Sequence, residues 1–244
     1  MPSSYLTRIH ALLDEQHAAQ AEHVRQAADR LADVIASGGI VHAFGSGHSA
    51  LLAQEIFHRA GGLAPINAML DVNLTVFGTS RPSLLERQEG YAASLFTNYD
   101  VRPGEALLIM SNSGINPVPI EVALLARERD VLTIAVGSAA AYATATSRHS
   151  SGRTLFDVAD MVLDTHVPAG DALQPIGETG VTLGAASTIL GSALLNELMI
   201  ATAEALAARK CAIPAFVSQN MPGGDEANKG LMERYRPRIP LMKP

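Results

Sequence analysis

"ALLIMSNSGINPVPIEVALLARERD", residues 106–130, joins an uncharged apolar run to a helix-like pattern through Ser111, Asn112, Ser113 and Gly114. Five apolar residues closed by a cluster of small polar ones have the length and composition of a strand buried on both faces. The helical pattern of "NPVPIEVALLARERD" follows at once. A strand that runs straight into a helix is half of a crossover, the connection a parallel sheet requires. The same succession occurs upstream. "IVHAF" (40–44) reads as a strand, "GSGHS" (45–49) as its polar end, and "ALLAQEIFHRA" (50–60) as a helix stopped by Gly61 and Gly62.

Outward from these two units the alternation continues. Residues 4–37 read as a helix with Val24, Leu31 and Ile35 on one stripe, and Ser37-Gly38-Gly39 as its stop. "LAPINAML" (63–70) reads as a second strand and 70–83 as a polar loop. Residues 83–100 read as one helix whose capping box pairs Ser83 with Glu86. "VLTIAVGS" (131–138) is a strand and 138–153 a long loop. "LFDVAD" (155–160) is a short helix and "MVLDTHV" (161–167) the fifth strand. Residues 181–208 read as a long helix, and a tail bearing Pro and Gly follows. The expected architecture is α/β: a three-layer sandwich around a five-stranded parallel sheet, with an extra N-terminal helix and a long C-terminal helix plus tail. With no repeat or linker in view, one domain is expected over 1–244, comprising a helical extension 1–37, a core 38–210 and a tail 211–244.

Composition narrows the function. The chain of 244 residues is 48% hydrophobic and 17% charged, enough apolar surface for a core and too little charge for disorder. Its net charge of -6 and lack of a long basic run argue against nucleic acid as a partner. The single cysteine, Cys211, excludes an internal disulfide and fits a reducing, cytoplasmic setting. The N-terminus has no signal-peptide core, and Glu197 interrupts the 181–208 run, so no membrane span is expected.

The polar ends of the two strands carry the functional reading. Unpaired amides at a helix start carry partial positive charge, and neighbouring hydroxyls add donors, a combination that suits a phosphate monoester. The alternative is that these Ser and Asn residues merely cap their helices. Neither loop is a nucleotide motif: "GSGHSA" lacks a third glycine, and no Gly-Lys-Ser/Thr follows. The phosphate is therefore expected on a small metabolite.

"GSGHSALLA" (45–53), "IMSNSG" (109–114) and "STILGSALLNEL" (187–198), at these spacings, resemble the sugar isomerase, or SIS, domain over roughly residues 35–230. The stretches "SNSGINPVPIE", "HSSGRTLFDVAD" and "VPAGDAL" are most similar to a branch of SIS proteins without an assigned reaction. The resemblance implies a flavodoxin-like sheet, a small-molecule sugar phosphate as partner, and a homodimer or homotetramer. It implies that Ser49, Ser111, Asn112, Ser113 and Asn116 grip the phosphate. Ser46 and His48 would line the same loop, and Ser187 and Thr188 would lie beside the substrate.

SIS enzymes acting on sugars open the ring and remove the C2 proton, which needs a base and a group stabilising the enediolate. The implied function is an isomerase or lyase acting on an aldose or amino-sugar 6-phosphate, N-acetylglucosamine 6-phosphate for example. The alternative is a non-catalytic phosphosugar sensor. Several family acid/base positions are changed here. Where etherase relatives carry glutamate the chain has Arg59, for which a Glu55–Arg59 helical ion pair is the plain explanation. Where arabinose-phosphate isomerases carry histidine it has Met221. The phosphoheptose isomerase metal ligands fall on Glu55 and Arg59, so no metal and no other cofactor is expected. The remaining candidates are Glu89, expected to have a raised pKa, then Glu178 in "PIGETG", with His149 as a proton carrier. Glu86 is set aside for capping. Tail residue Lys229 is a further candidate to close over the substrate.

Overall fold

The structure, a computed structural model, describes residues 4–77, 82–239 and 241–242. Five strands form a parallel sheet in the order β2-β1-β3-β4-β5: β1 Val41–Gly45, β2 Ile66–Met69, β3 Ala106–Met110, β4 Leu132–Gly137 and β5 Met161–Asp164. The order reverses between β1 and β3. In such sheets the crevice beyond the carboxyl ends of the strands at the reversal is where ligands bind.

Strand alternation sorts the core into two layers. Val41, Ala43, Leu108, Met110 and Ile134 face one side, covered by α1 (Ser4–Ala36), α2 (Ala50–Glu55) and α7 (Ser187–Ala208). Phe44, Met69, Leu107, Ile109 and Ala135 face the other, covered by α4 (Tyr91–Phe96), α5 (Pro117–Arg127) and α6 (Leu155–Val158). A short α3 (Pro82–Glu86) precedes α4. The three-layer α/β arrangement expected from the sequence is thus the one observed, including the N-terminal and the long C-terminal helix.

Helix α1 buries the stripe that contains Val24, Leu31 and Ile35, and packs along α7. Two buried glutamines fix its height. Gln16 Nε2 donates to Thr165 O at 2.9 Å, and Gln20 Oε1 accepts from Asp164 N at 3.1 Å. By length and composition α7 is apolar enough to cross a membrane. Its Leu190, Leu194, Leu195 and Leu198 are instead buried against α1 and α2. Each such leucine contributes roughly 1.5–3 kcal/mol.

Four expectations are corrected. The 50–60 helix stops at Glu55, because residues 61–64 turn away to bond Pro214 and Phe216 in the tail. The 83–100 helix is broken at Gly90, whose φ of 84° is left-handed, and α4 restarts from there. With α3 beginning at Pro82, Ser83 lies inside its first turn, and the Ser83–Glu86 capping box does not form. Residues 182–185 are strand rather than helix: β7 (Thr182–Ala185) pairs antiparallel with β6 (Ala172–Pro175), and Gly184 at φ 80° could not continue a helix. The tail also contains a helix, α8 (Gly224–Tyr235). Its Tyr235, with Ile239 and Met242, packs on Ile40 and Ala64 at the amino end of the sheet. Lys229 on α8 therefore has no link to the carboxyl-end loops among the described residues.

Candidate functional site

The first loop is built by a close backbone turn. A Cβ on Gly45 would stand 2.3 Å from Ser49 O, so only glycine lets β1 turn into α2 at once. Gly47 N donates to Leu74 O and fixes the loop from above. Ser49 is the N-cap of α2, yet its side chain makes no capping bond. Ser46 is nearly buried, and its Oγ donates to Glu86 Oε1 at 2.7 Å. The carboxylate set aside for helix capping is thus the one that reaches the loop.

The second loop, Ser111–Asn116, carries an unusual pattern of amides. Asn112 O accepts from Ser138 N at 2.9 Å, Gly114 O from Leu155 N at 2.8 Å, and Ile115 O from Arg148 N at 2.8 Å. In a planar trans peptide the carbonyl and the next N–H point opposite ways. The three engaged carbonyls therefore turn the N–H groups of Ser113, Ile115 and Asn116 away from Ser138, Leu155 and Arg148 N respectively. None of these three has an acceptor among the described residues. Gly114 N does have one, Ser111 Oγ at 3.3 Å. A run of unspent amides in one loop is what an anion-binding nest requires. Asn116 is the N-cap of α5 and makes no side-chain cap bond. Neither Ser49 nor Asn116 serves the capping role that was the plainer alternative.

Helix dipoles alone do not account for the site. Helix α2 is only six residues long. Helix α5 begins Pro117-Val118-Pro119, and each proline lacks the N–H that a helix start ordinarily offers. At α7, Asp171 Oδ1 accepts from Ala186 N and Ser187 N, and Oδ2 from Ser187 Oγ at 2.8 Å. A carboxylate already occupies that helix start and the Ser187 hydroxyl, so an anion is favoured beside β3 rather than beside α7.

Between the loops a narrow cleft is lined by His48, Ser49, Asn112, Thr165, Ser187 and Thr188. It brings together five of the residues singled out in the sequence. Two of its lining residues, Asn112 and Thr165, have buried polar atoms, Oδ1 and Oγ1, with no partner among the described residues. Such groups are places where a polar ligand or water can bond; two others, Asn67 Oδ1 and Arg238 Nε, lie at the amino end of the sheet. A larger depression of about 640 Å³ lies beneath the amino ends of β3, β4 and β5, bordered by Arg30, Asp33, Arg127 and Asp160. Arg127 and Asp160 pair with each other at 3.1 Å, and the depression is at the wrong end of the sheet for α/β chemistry.

The candidate acid/base residues separate. Glu89 is exposed and accepts from Ser150 N at 2.5 Å and Ser150 Oγ at 2.8 Å. The hydroxyl of Ser150, and then its amide, hold the Glu89 carboxyl below the usual carboxylate range, contrary to the raised value expected. His149 Nε2 lies 3.9 Å from Glu121 Oε1, and Glu121 also accepts from Gly90 N at 2.6 Å. Potential metal-ligand atoms of Glu89, Glu121 and His149 lie within 4.8 Å of one another. Both carboxylates already take backbone donors, which makes the group a clamp between loop 138–153 and the start of α4. Glu178 sits at the exposed turn of the β6–β7 hairpin and makes no hydrogen bond or ion pair among the described residues. Arg59 pairs with Glu55, as the plain explanation had it.

One residue the sequence reading passed over stands beside the nest. Arg148 Nη1 donates to Asn116 Oδ1 at 2.7 Å. Nothing in an irregular loop signals this by periodicity or by residue type.

The sequence pattern of the SIS domain matches residues 4–138. A UPF0309 protein of Geobacillus kaustophilus is 37% identical over 243 residues, covering 99% of this chain and 97% of that protein. A second, from Halalkalibacterium halodurans, is also 37% identical over 243 residues, with the same coverage. Among solved structures, a phosphoheptose isomerase from Francisella tularensis superposes with a TM-score of 0.53 at 16% identity, over 82% of this chain and 94% of that one. That last likeness is one of fold.

Proposed function

The chain belongs to the SIS domain family, with UPF0309 proteins as relatives along its whole length, and on that premise we propose that it is a phosphosugar isomerase or lyase. The substrate class is an aldose or amino-sugar 6-phosphate, N-acetylglucosamine 6-phosphate being a fitting example. The observation that carries the reading is the nest: the amides of Ser113, Ile115 and Asn116, oriented by the engaged carbonyls before them, beside the hydroxyls of Ser111 and Ser113. A phosphate monoester offers oxygens enough to accept from all of them.

With the phosphate there, the sugar extends across the cleft toward His48, Ser49, Ser187 and Thr188. We assign the C2 base to Glu86, since Ser46 orients its carboxylate at the edge of the first loop. Glu86 takes the C2 proton of the open-chain sugar, and the electron pair moves into the C1 carbonyl, giving an enediolate from an aldose or an enolate from a 2-acetamido sugar. For an aldose, moving the O2 proton to O1 and returning the Glu86 proton to C1 completes an isomerisation. For either sugar, the C3–O bond can break instead as the electron pair returns from O1 to form the C2–C3 double bond, the Glu86 proton passing to the departing hydroxyl, which leaves as water and completes an elimination. Glu89 then keeps the loop in place, and Glu178 and His149 stand outside the proton transfer. The exposed Ile189 and Ile200 on α7 favour a homodimer, for which a concentration-dependent mass in light scattering is expected.

The test is proton NMR in D2O with a panel of hexose and amino-hexose 6-phosphates. Loss of the C2–H signal of at least one sugar is expected with the wild type, and none with Glu86→Gln. A wild type that exchanges no C2 proton while still binding the sugar phosphates would instead establish the sensor reading.

A further inference from the structure

We propose that Arg148 is the cation of the phosphate site, delivered by loop 138–153 and held there by Glu89. The inference rests on the phosphosugar reading above and adds the residue that supplies its charge. The described donors of the second loop are neutral: amides, two hydroxyls and the side chains of Asn112 and Asn116. Two of the helix-start amides that would strengthen them are absent, because Pro117 and Pro119 occupy those positions. A dianion held by neutral donors alone keeps much of its charge uncompensated.

Arg148 meets that need by its placement. Its backbone N–H pins Ile115 O and so helps aim the nest, while its Nη1 rests on Asn116 Oδ1 at 2.7 Å. Only one guanidinium N–H is spent on that bond, which leaves four donors in a planar fork suited to a phosphate. Arg25, Arg59, Arg102, Arg127, Arg209 and Arg238 are each within ion-pair distance of a carboxylate. Arg148 has no such partner among the described residues; Arg8, Arg30, Arg87 and four other arginines share that state, but among them only Arg148 bonds by its side chain to the 111–116 loop. Its guanidinium rests on the side chain of Asn116, in the loop that carries the unspent amides, with no carboxylate to take its charge.

The loop that carries it is fastened close by. Ser150, two residues on, gives both its amide and its hydroxyl to Glu89, and His149 faces Glu121. Leu155 N closes the far end on Gly114 O. Glu89 is therefore a positioning residue acting through Ser150 on Arg148, and not a group that touches the sugar.

The experiment is titration of inorganic phosphate, followed by phosphorus NMR, into the full chain and four variants. Arg148→Ala is expected to bind phosphate about 10- to 100-fold more weakly. Arg148→Lys, which keeps the charge, is expected to recover most of the loss. Arg148→Gln, which keeps a donor for Asn116 but no charge, is expected to resemble the alanine variant. That contrast separates charge from loop structure, and it stands even where alanine impairs folding. The fourth variant, Ser111→Ala with Ser113→Ala, reports on the nest itself. If it loses phosphate while Arg148→Gln binds like wild type, the phosphate site stands and the role of Arg148 is overturned. If the wild type binds no phosphate, or the double variant binds as well as wild type, the phosphosugar reading falls and this inference with it.

Discussion

At the amino end of the sheet, His42 Nε2 lies 2.9 Å from Glu105 Oε2, Asn67 Nδ2 lies 3.0 Å from His42 Nδ1, and Arg238 Nη2 lies 2.9 Å from Glu105 Oε1. At the carboxyl end, the amides of Ser113, Ile115 and Asn116 have no acceptor among the described residues, and the Arg148 guanidinium has no carboxylate. Both ends insert polar groups into an apolar sandwich. At one end most are spent on each other, with Asn67 Oδ1 and Arg238 Nε left without a hydrogen-bond partner among the described residues and Arg238 Nε 2.7 Å from Asp100 Oδ2; at the other, unspent backbone amides and the orphaned Asn112 Oδ1 and Thr165 Oγ1 lie at a cleft. Unspent amides beside a cleft, rather than a count of orphaned side-chain atoms, thus distinguish the two ends. Size does not, since the larger depression lies at the amino end.

The comparison breaks first at Glu105. Burial alone would raise its carboxyl pKa, but the hydrogen bond from His42, the amide of Arg102 and the Arg238 guanidinium together hold it below the ordinary value of 4.5. Glu105→Ala is expected to cost about 3–5 kcal/mol in denaturant unfolding, because it strands buried charge. The variant should bind sugar phosphates normally while folded. A carboxyl whose folded pKa is depressed stabilises the fold fully above its unfolded value, and that contribution is lost as pH falls through the folded value. Wild-type stability should therefore decline below about pH 4.5, with a slope that Glu105→Gln reduces. Acid unfolding curves of the two proteins check this.

At the other end, Glu86→Gln is expected to slow C2–H exchange by about a hundredfold or more, with little change in unfolding midpoint. The smallest effect is expected at Glu89. Glu89→Gln keeps an acceptor for Ser150, so phosphate binding should weaken by less than about tenfold. The same variant should make loop 138–153 more open to limited proteolysis. If Glu89→Gln abolishes exchange and Glu86→Gln does not, the roles of the two glutamates are exchanged.

Much of the fold was legible because it is written in periodicity. The strands at 41–45, 106–110 and 132–137 are short, mostly apolar runs broken only by His42 and Thr133, and α1 keeps one buried stripe that is apolar except at Gln16 and Gln20. What failed was local pattern overruled from a distance. Residues 83–100 look like one helix until Glu121 takes the amides of Gly90 and Ala92 and fixes the start of a second helix there. "VTLGAA" reads into the helix behind it until Ala172 and Gln174 pair with it as a hairpin. The site divides the same way. Ser46, Ser49 and the 111–116 stretch could be chosen by residue type. Arg148, the bond from Ser46 to Glu86, and the hold of Asp171 on Ser187 exist only because segments 16 to 40 residues apart meet. No single-sequence pattern encodes those meetings.

The central claim is that the 111–116 loop binds the phosphate. Calorimetric titration of N-acetylglucosamine 6-phosphate into the wild type and the Ser111→Ala, Ser113→Ala double variant, beside unphosphorylated N-acetylglucosamine as control, tests it most directly. Each lost charge-assisted bond is worth roughly 1.5–3 kcal/mol, so binding of the phosphorylated sugar should fall by at least about a hundredfold. The unfolding midpoint should fall modestly, because Ser111 Oγ also accepts from Gly114 N, with the variant still folded at the temperature of the titration. Equal affinity of the two proteins for the phosphorylated sugar would contradict the account.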